Sequence, residues 1–178
     1  MTTLSRRAFI GTLAAAAPAL AFPPLSAARA LGGRDLRFFH THTSEHLVVE
    51  YHDGHGYLGD ALATVNRFLR DFRTGEAHEI DPRLLDLLHD LAGATETARP
   101  YEVISGYRSP HTNQMLRERS EGVAAGSLHM QGMAIDIRLT DVPLASLRTA
   151  ALAAHTGGVG YYPQSQFVHV DTGRVRAW

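Results

Sequence analysis

Cysteine is absent from the 178 residues, which removes disulfides, thiolate metal sites and a thiol nucleophile at one stroke. A metal bound by this chain must sit on nitrogen and oxygen. Lysine is absent as well: all 17 basic residues are arginine, and 18 acidic residues bring the formal net charge to -1. That balance lacks the basic footprint of a nucleic-acid binder. No internal repeat or low-complexity linker divides the chain, and its length suits one domain. Hydrophobic residues at 44% and charged residues at 20% are enough for a packed core. The 11 histidines are many for this length. Scattered histidines do not make a site, so their spacing has to decide.

The one long apolar run lies at the start. Ser5-Arg6-Arg7-Ala8-Phe9-Ile10 places twin arginines ahead of an alanine-rich stretch from Gly11 to Phe22, then Pro23-Pro24. This reads as a twin-arginine export signal over residues 1–30, handled by the twin-arginine machinery. Ala28-Arg29-Ala30 offers a small-x-small cleavage site, leaving a domain at 31–178 without a membrane span and located in the periplasm. The apolar stretch is short of the roughly 20 residues a spanning helix needs. An uncleaved amino-terminal anchor is the alternative.

Periodicity organises the rest. Arg37 to Tyr57 mixes β-formers and histidines and ends in Asp53-Gly54-His55-Gly56, a strand or hairpin closed by a turn. Leu58, Leu62, Val65, Leu69 and Phe72 recur at helical spacing, predicting a helix from Leu58 to Arg73. Asp81-Pro82 pairs an N-cap with proline at the first helical position of a second helix carrying Leu84, Leu88 and Leu91. Tyr101–Ser105 reads as a strand and Thr112–Glu121 as a helix ended by Gly122. Met133–Leu139 alternates as a strand, Pro143–His155 is helical, and strands follow at Val159–Tyr162 and Phe167–Asp171. Helices come first and most strands late, which argues for a compact α+β domain with an antiparallel sheet flanked by helices.

The segment that carries chemistry is Ser127-Leu128-His129-Met130-Gln131-Gly132-Met133-Ala134-Ile135-Asp136. In a strand over 133–139, the apolar residues at 133, 135, 137 and 139 share the core face, and Asp136 is presented on the other. Small Ala134 leaves room ahead of it, and Gly132 lets the chain return so that His129 approaches the carboxylate. Phe167-Val168-His169-Val170-Asp171 repeats the pattern, with valines inward and His169 and Asp171 together outward. Two imidazoles and a carboxylate suit zinc, with a fourth position left for water. The bland alternative has His129 capping a turn, Asp136 paired with an arginine and His169 buried in a hydrogen bond.

The pattern S-x-H-x-x-G-x-A-x-D, met in full from Ser127 to Asp136, together with a later histidine on a strand, resembles the zinc D,D-carboxypeptidase and vancomycin-resistance dipeptidase superfamily, which includes the Hedgehog signalling domain. Ser105-Gly106-Tyr107-Arg108-Ser109, Gly157-Gly158-Val159-Gly160-Tyr161-Tyr162-Pro163 and Phe167-Val168-His169-Val170-Asp171-Thr172-Gly173 are similar to its murein endopeptidase K branch. The resemblance implies a zinc metallopeptidase that hydrolyses peptide cross-links between peptidoglycan stem peptides, with Zn2+ on His129, Asp136 and His169. A stem-peptide carboxypeptidase and a non-catalytic zinc-containing wall-binding module are the rivals.

Many relatives place a glutamate three residues before the last zinc-binding histidine, or a histidine two before it; here those positions are Gln166 and Phe167. Asp171 is then the expected catalytic carboxylate, moving a proton beside the metal, or else it only orients His169. The resemblance suggests that Arg108 steadies the oxyanion or holds a substrate carboxylate; a surface ion pair is its other reading. Ser127 and Tyr161 are expected to contact substrate, with Ser127 alternatively fixing its loop and Tyr161 or Tyr162 entering the core. His40 and His42 share a strand face and read best as solvent-facing.

Overall fold

A computed structural model describes residues 32–119 and 123–178. The export-signal reading over 1–30 and the helix stop expected at Gly122 lie outside the described residues. Among those described, no helix is long and apolar enough to cross a membrane.

The chain opens with a hairpin of β1 (Arg34–His40) and β2 (His46–His52). Helix α1 (Gly59–Phe68) follows, with Asp60 in its first turn and Arg67 in its last, each complementing the helix dipole. It stops five residues short of the expected Arg73. The Tyr107 amide donates to the Leu69 carbonyl at 2.8 Å, and Gly106 packs so closely that a Cβ there would lie 2.6 Å from that oxygen. Asp71 then opens a turn, accepting the Arg73 amide on its side chain and the Gly75 amide on its carbonyl. A long-range approach has overridden a local apolar period.

Helix α2 (Pro82–Ala94) begins as the sequence indicates: the Asp81 side chain accepts the Arg83 amide and proline takes the first turn. Five leucines, Leu84, Leu85, Leu87, Leu88 and Leu91, are buried along it. After β3 (Tyr101–Ser105), helix α3 (Pro110–Arg119) starts two residues before Thr112, because Ser109 Oγ accepts the Thr112 amide and Pro110 fits the first position. A 3-10 turn (Leu128–Gln131) leads into β4 (Ala134–Arg138), then α4 (Leu144–Ala154), β5 (Gly158–Tyr162), β6 (Phe167–Asp171) and a two-residue β7 (Arg176–Ala177).

The seven strands form one sheet in the order β2-β1-β3-β4-β6-β5-β7. The α+β architecture follows the sequence reading, and the sheet is antiparallel at four of its junctions; β1/β3 and β5/β7 are parallel. The β1–β3 crossover contains both α1 and α2, long enough to carry the chain back to the end it started from. Leu84, Leu88 and Leu91 of α2 and Leu147 and Ala151 of α4 join Val103, Ile135, Ile137, Val168 and Val170 in a single core. The alternation read in β4 and β6 holds, and it leaves the opposite face at the sheet centre for polar groups.

One strand-face expectation is corrected. His40 is fully buried, with its ring edge-on to Phe68 and Phe72, while His42 is exposed and stacks on Phe72 at 4.1 Å. The segment after α1 folds Phe72 over this face, so the position that looks solvent-facing in sequence is covered.

Candidate metal centre

Asp136 of β4 and His169 of β6 are direct cross-strand partners. Strand register therefore brings their side chains together with no loop involved. His129 arrives from the 3-10 turn, and Gly132 makes the return possible: its φ of 67° is left-handed, and a Cβ there would meet the Glu79 carbonyl oxygen at 2.0 Å. A bulge in β3 between Val103 and Ser105 sets Ser105 opposite Asp136. The next residue, Gly106, aims its carbonyl at His129 Nδ1, 2.8 Å away.

The three donor atoms converge. His129 Nε2 lies 3.2 Å from His169 Nδ1 and 3.3 Å from Asp136 Oδ1, and His169 Nδ1 lies 2.8 Å from Asp136 Oδ1. Ligands about 2.0–2.1 Å from a tetrahedral zinc are about 3.3–3.4 Å apart. Two of the three separations already match, and the third needs to open by about half an ångström. All three residues are buried, and among the described residues they are the group that could hold a metal.

Hydrogen bonding fixes what these atoms offer. A carbonyl can only accept, so His129 Nδ1–H donates to Gly106 and Nε2 keeps its lone pair. His169 Nε2 donates to Asp171 Oδ2 at 3.0 Å, which leaves the Nδ1 lone pair turned toward Asp136. With both rings neutral, two lone pairs and a carboxylate oxygen meet at one buried point with no donor among them. Such a point is stable only with positive charge. The protonation behaviour agrees: burial works against charge on both partners, yet Asp136 and Asp171 raise His169 to about 9, and the two histidines hold the Asp136 carboxyl below its ordinary range. A divalent cation is the fuller answer to that demand, and the nitrogen and oxygen donor set fits zinc.

A family model described as peptidoglycan L,D-endopeptidase MepK matches residues 28–178. The chain belongs to this family. It is 46% identical over 165 residues to the peptidoglycan L,D-endopeptidase MepK of Escherichia coli, covering 93% of this chain and 89% of that protein, and equally so to the protein of that name in Shigella flexneri. A protein named probable peptidoglycan L,D-endopeptidase MepK in Haemophilus influenzae is 41% identical over 146 residues, 82% of this chain and 78% of that one.

The other expected residues of this MepK-family chain differ in how they stand to the triad. Arg108 stands beside the triad: its Nη2 is 3.9 Å from Asp136 Oδ2, its amide donates to the His129 carbonyl, and its Nη1 reaches Asn113 Oδ1 at 3.4 Å. Burial works against its charge, Asp136 supports it, and the buried Nε has no partner. Ser127 is buried at the start of the 3-10 turn, its hydroxyl unused as a cap.

Asp171 is fully buried with both oxygens engaged. Besides His169 it accepts two bonds from Arg176, at 2.7 and 3.1 Å, and the amides of Gly158 and Gly173. Burial alone would raise its carboxyl, but these donors keep it well below the carboxylate range. Gln166 lies exposed in the β5–β6 turn, its amide bonded to the Pro163 carbonyl.

Tyr161 is the residue to correct. It pairs with Val168, packs against the core and lies under the Arg148 guanidinium, on the face opposite His169. Tyr162, one position on, takes the metal face with Gly160. Sequence reading also missed Arg176, the Gly106 carbonyl and Trp178, whose ring centroid lies 5.3 Å from that of His169. No local spacing marks these, because each reaches the site through strand pairing or a turn.

Proposed function

We propose that this chain is a zinc-dependent endopeptidase of the periplasm that hydrolyses L,D peptide bonds in peptidoglycan cross-links. The observation that carries the reading is the convergence of His129 Nε2, Asp136 Oδ1 and His169 Nδ1 in a chain so similar to proteins named for that activity. Bound zinc would supply Lewis acidity, polarising a carbonyl and bringing the pKa of water to about 7.

The protein's own groups prepare that chemistry. Gly106 and Asp171 fix both imidazole tautomers, so neither ring must reorganise to present its lone pair. We assign Asp171 this orienting role in preference to proton carriage: a carboxylate held ionised by an arginine and two amides is a poor proton donor. Arg108 offers a rigid, charged fork at the edge of the triad, suited to the negative charge that develops on a carbonyl oxygen under attack. Asn113 and the His129 carbonyl steady it there. Ser127, at the start of the 3-10 turn that carries His129, is assigned as a substrate contact.

The test is digestion of intact peptidoglycan by the purified protein, with and without a chelator. New amino termini from cross-linked peptides, lost with the chelator and restored by zinc, are expected. Trimmed stem ends in place of opened cross-links would make the chain a carboxypeptidase. Binding without cleavage would make it a wall-binding module.

A further inference from the structure

The alternation of β5 sets Gly160 and Tyr162 on the face of His169, and Gly160 is the direct partner of that histidine. A missing side chain at 160 leaves a gap beside the ligand. The indole of Trp178 fills it: a Cβ on Gly160 would lie 2.7–2.9 Å from three indole atoms. Trp178 is pinned there by its backbone, its amide donating to Val159 and its carbonyl accepting from Tyr161.

The indole does more than occupy space. Its Nε1–H, which can only donate, reaches the Tyr162 hydroxyl oxygen at 2.7 Å. The Tyr162 ring is held from its other side by stacking on Phe167 at 4.6 Å. With its oxygen accepting from tryptophan, the phenol keeps its own hydrogen to give away, and among the described residues no protein acceptor takes it. A ring fixed in place on the metal face, with a hydroxyl hydrogen still to give, is suited to meet an oxygen.

We infer that Tyr162 is a substrate-binding residue that donates its phenolic hydrogen to an oxygen of the bound peptide, and that Trp178 is the positioning residue that aims it. The inference rests on the endopeptidase reading for the identity of the ligand. It assigns ground-state binding to Tyr162, distinct from the charge stabilisation assigned to Arg108.

The experiment uses the full chain and a soluble cross-linked stem-peptide dimer released from peptidoglycan. Binding to the metal-free protein is followed by calorimetry, and cleavage by the zinc-loaded protein is followed separately. Tyr162→Phe is expected to weaken binding about tenfold and raise KM similarly, with kcat within about twofold and zinc content unchanged. Trp178→Phe, which keeps a ring but loses the N–H, is expected to weaken binding less, and to have no further effect in the Tyr162→Phe background. Unaltered binding by Tyr162→Phe, or loss of its zinc, overturns the role of Tyr162. An equal effect of Trp178→Phe in both backgrounds overturns the aiming role. Tight binding without cleavage by the wild-type protein defeats the endopeptidase reading and leaves these comparisons intact; no binding by the wild type overturns both.

Discussion

Asp171 and His40 are both buried titratable residues, and their surroundings give them opposite tasks. Asp171 is ionised and saturated with donors, and one of those donors is the ring of a candidate metal ligand. Asp171→Asn keeps the shape, but its amide cannot accept at every position the carboxylate does, so the His169 ring is released from its tautomer. Zinc affinity is expected to fall about 10–100-fold, measured by competition with a chelator of known strength. His40 has no such support: its Nδ1 accepts the His42 amide at 3.3 Å and its Nε2 has no partner. Burial first and then His42 lower its pKa to about 4 from 6.5, against an opposing pull from Glu45 and with the least part from Arg70. The unfolded chain therefore takes up a proton between about pH 6.5 and 4 that the folded chain refuses, and stability is lost as pH falls through that window. Thermal melts of His40→Gln should show a shallower fall of Tm over the same range. A wild-type slope no steeper than that of the variant would contradict this.

At the level of strands and helices, what was legible in the sequence is what local period controls. The alternations of β4 and β6 placed Asp136 and His169 outward because two inward runs, Ile135/Ile137 and Val168/Val170, allow one register only. Tyr161 was misplaced by a single position in a glycine-rich strand whose apolar pattern is too sparse to fix its face. The early end of α1 and the parallel β1/β3 junction depend on the approach of Gly106 to Leu69 and on a crossover of two helices, and neither leaves a local mark. The 3-10 turn shows the reverse dependence, of an element on one residue. Gly132→Ala forces a side chain into left-handed backbone and against the Glu79 carbonyl. A loss of about 2–4 kcal/mol in denaturant unfolding is expected, together with weaker zinc binding as His129 shifts.

The whole molecule has no disulfide, yet its candidate ligands stand up to 40 positions apart in sequence, on a turn and two central strands. An ion there would bind the folded chain and have little hold on the unfolded one. Free zinc at about a thousand times its Kd adds about 4 kcal/mol. For a domain of this size that raises Tm by about 8–16 °C. Calorimetric scans with zinc and with excess chelator should differ by that amount, and the difference should vanish in His169→Ala.

Trp178 is the single tryptophan of the sequence, and its indole lies 5.3 Å from the His169 ring, with Arg176 over it at 4.8 Å. Excited where tyrosine does not absorb, the protein emits from one fluorophore, at the edge of its candidate metal centre. Light from that ring then reports on the occupant next door. Copper(II), whose partly filled d shell accepts excitation energy, should darken the emission in proportion to site filling, and a chelator that strips it should restore the light, whereas zinc(II), with a closed shell, should leave the emission bright. The chain thus carries its own optical gauge of metal occupancy, readable without label or substrate.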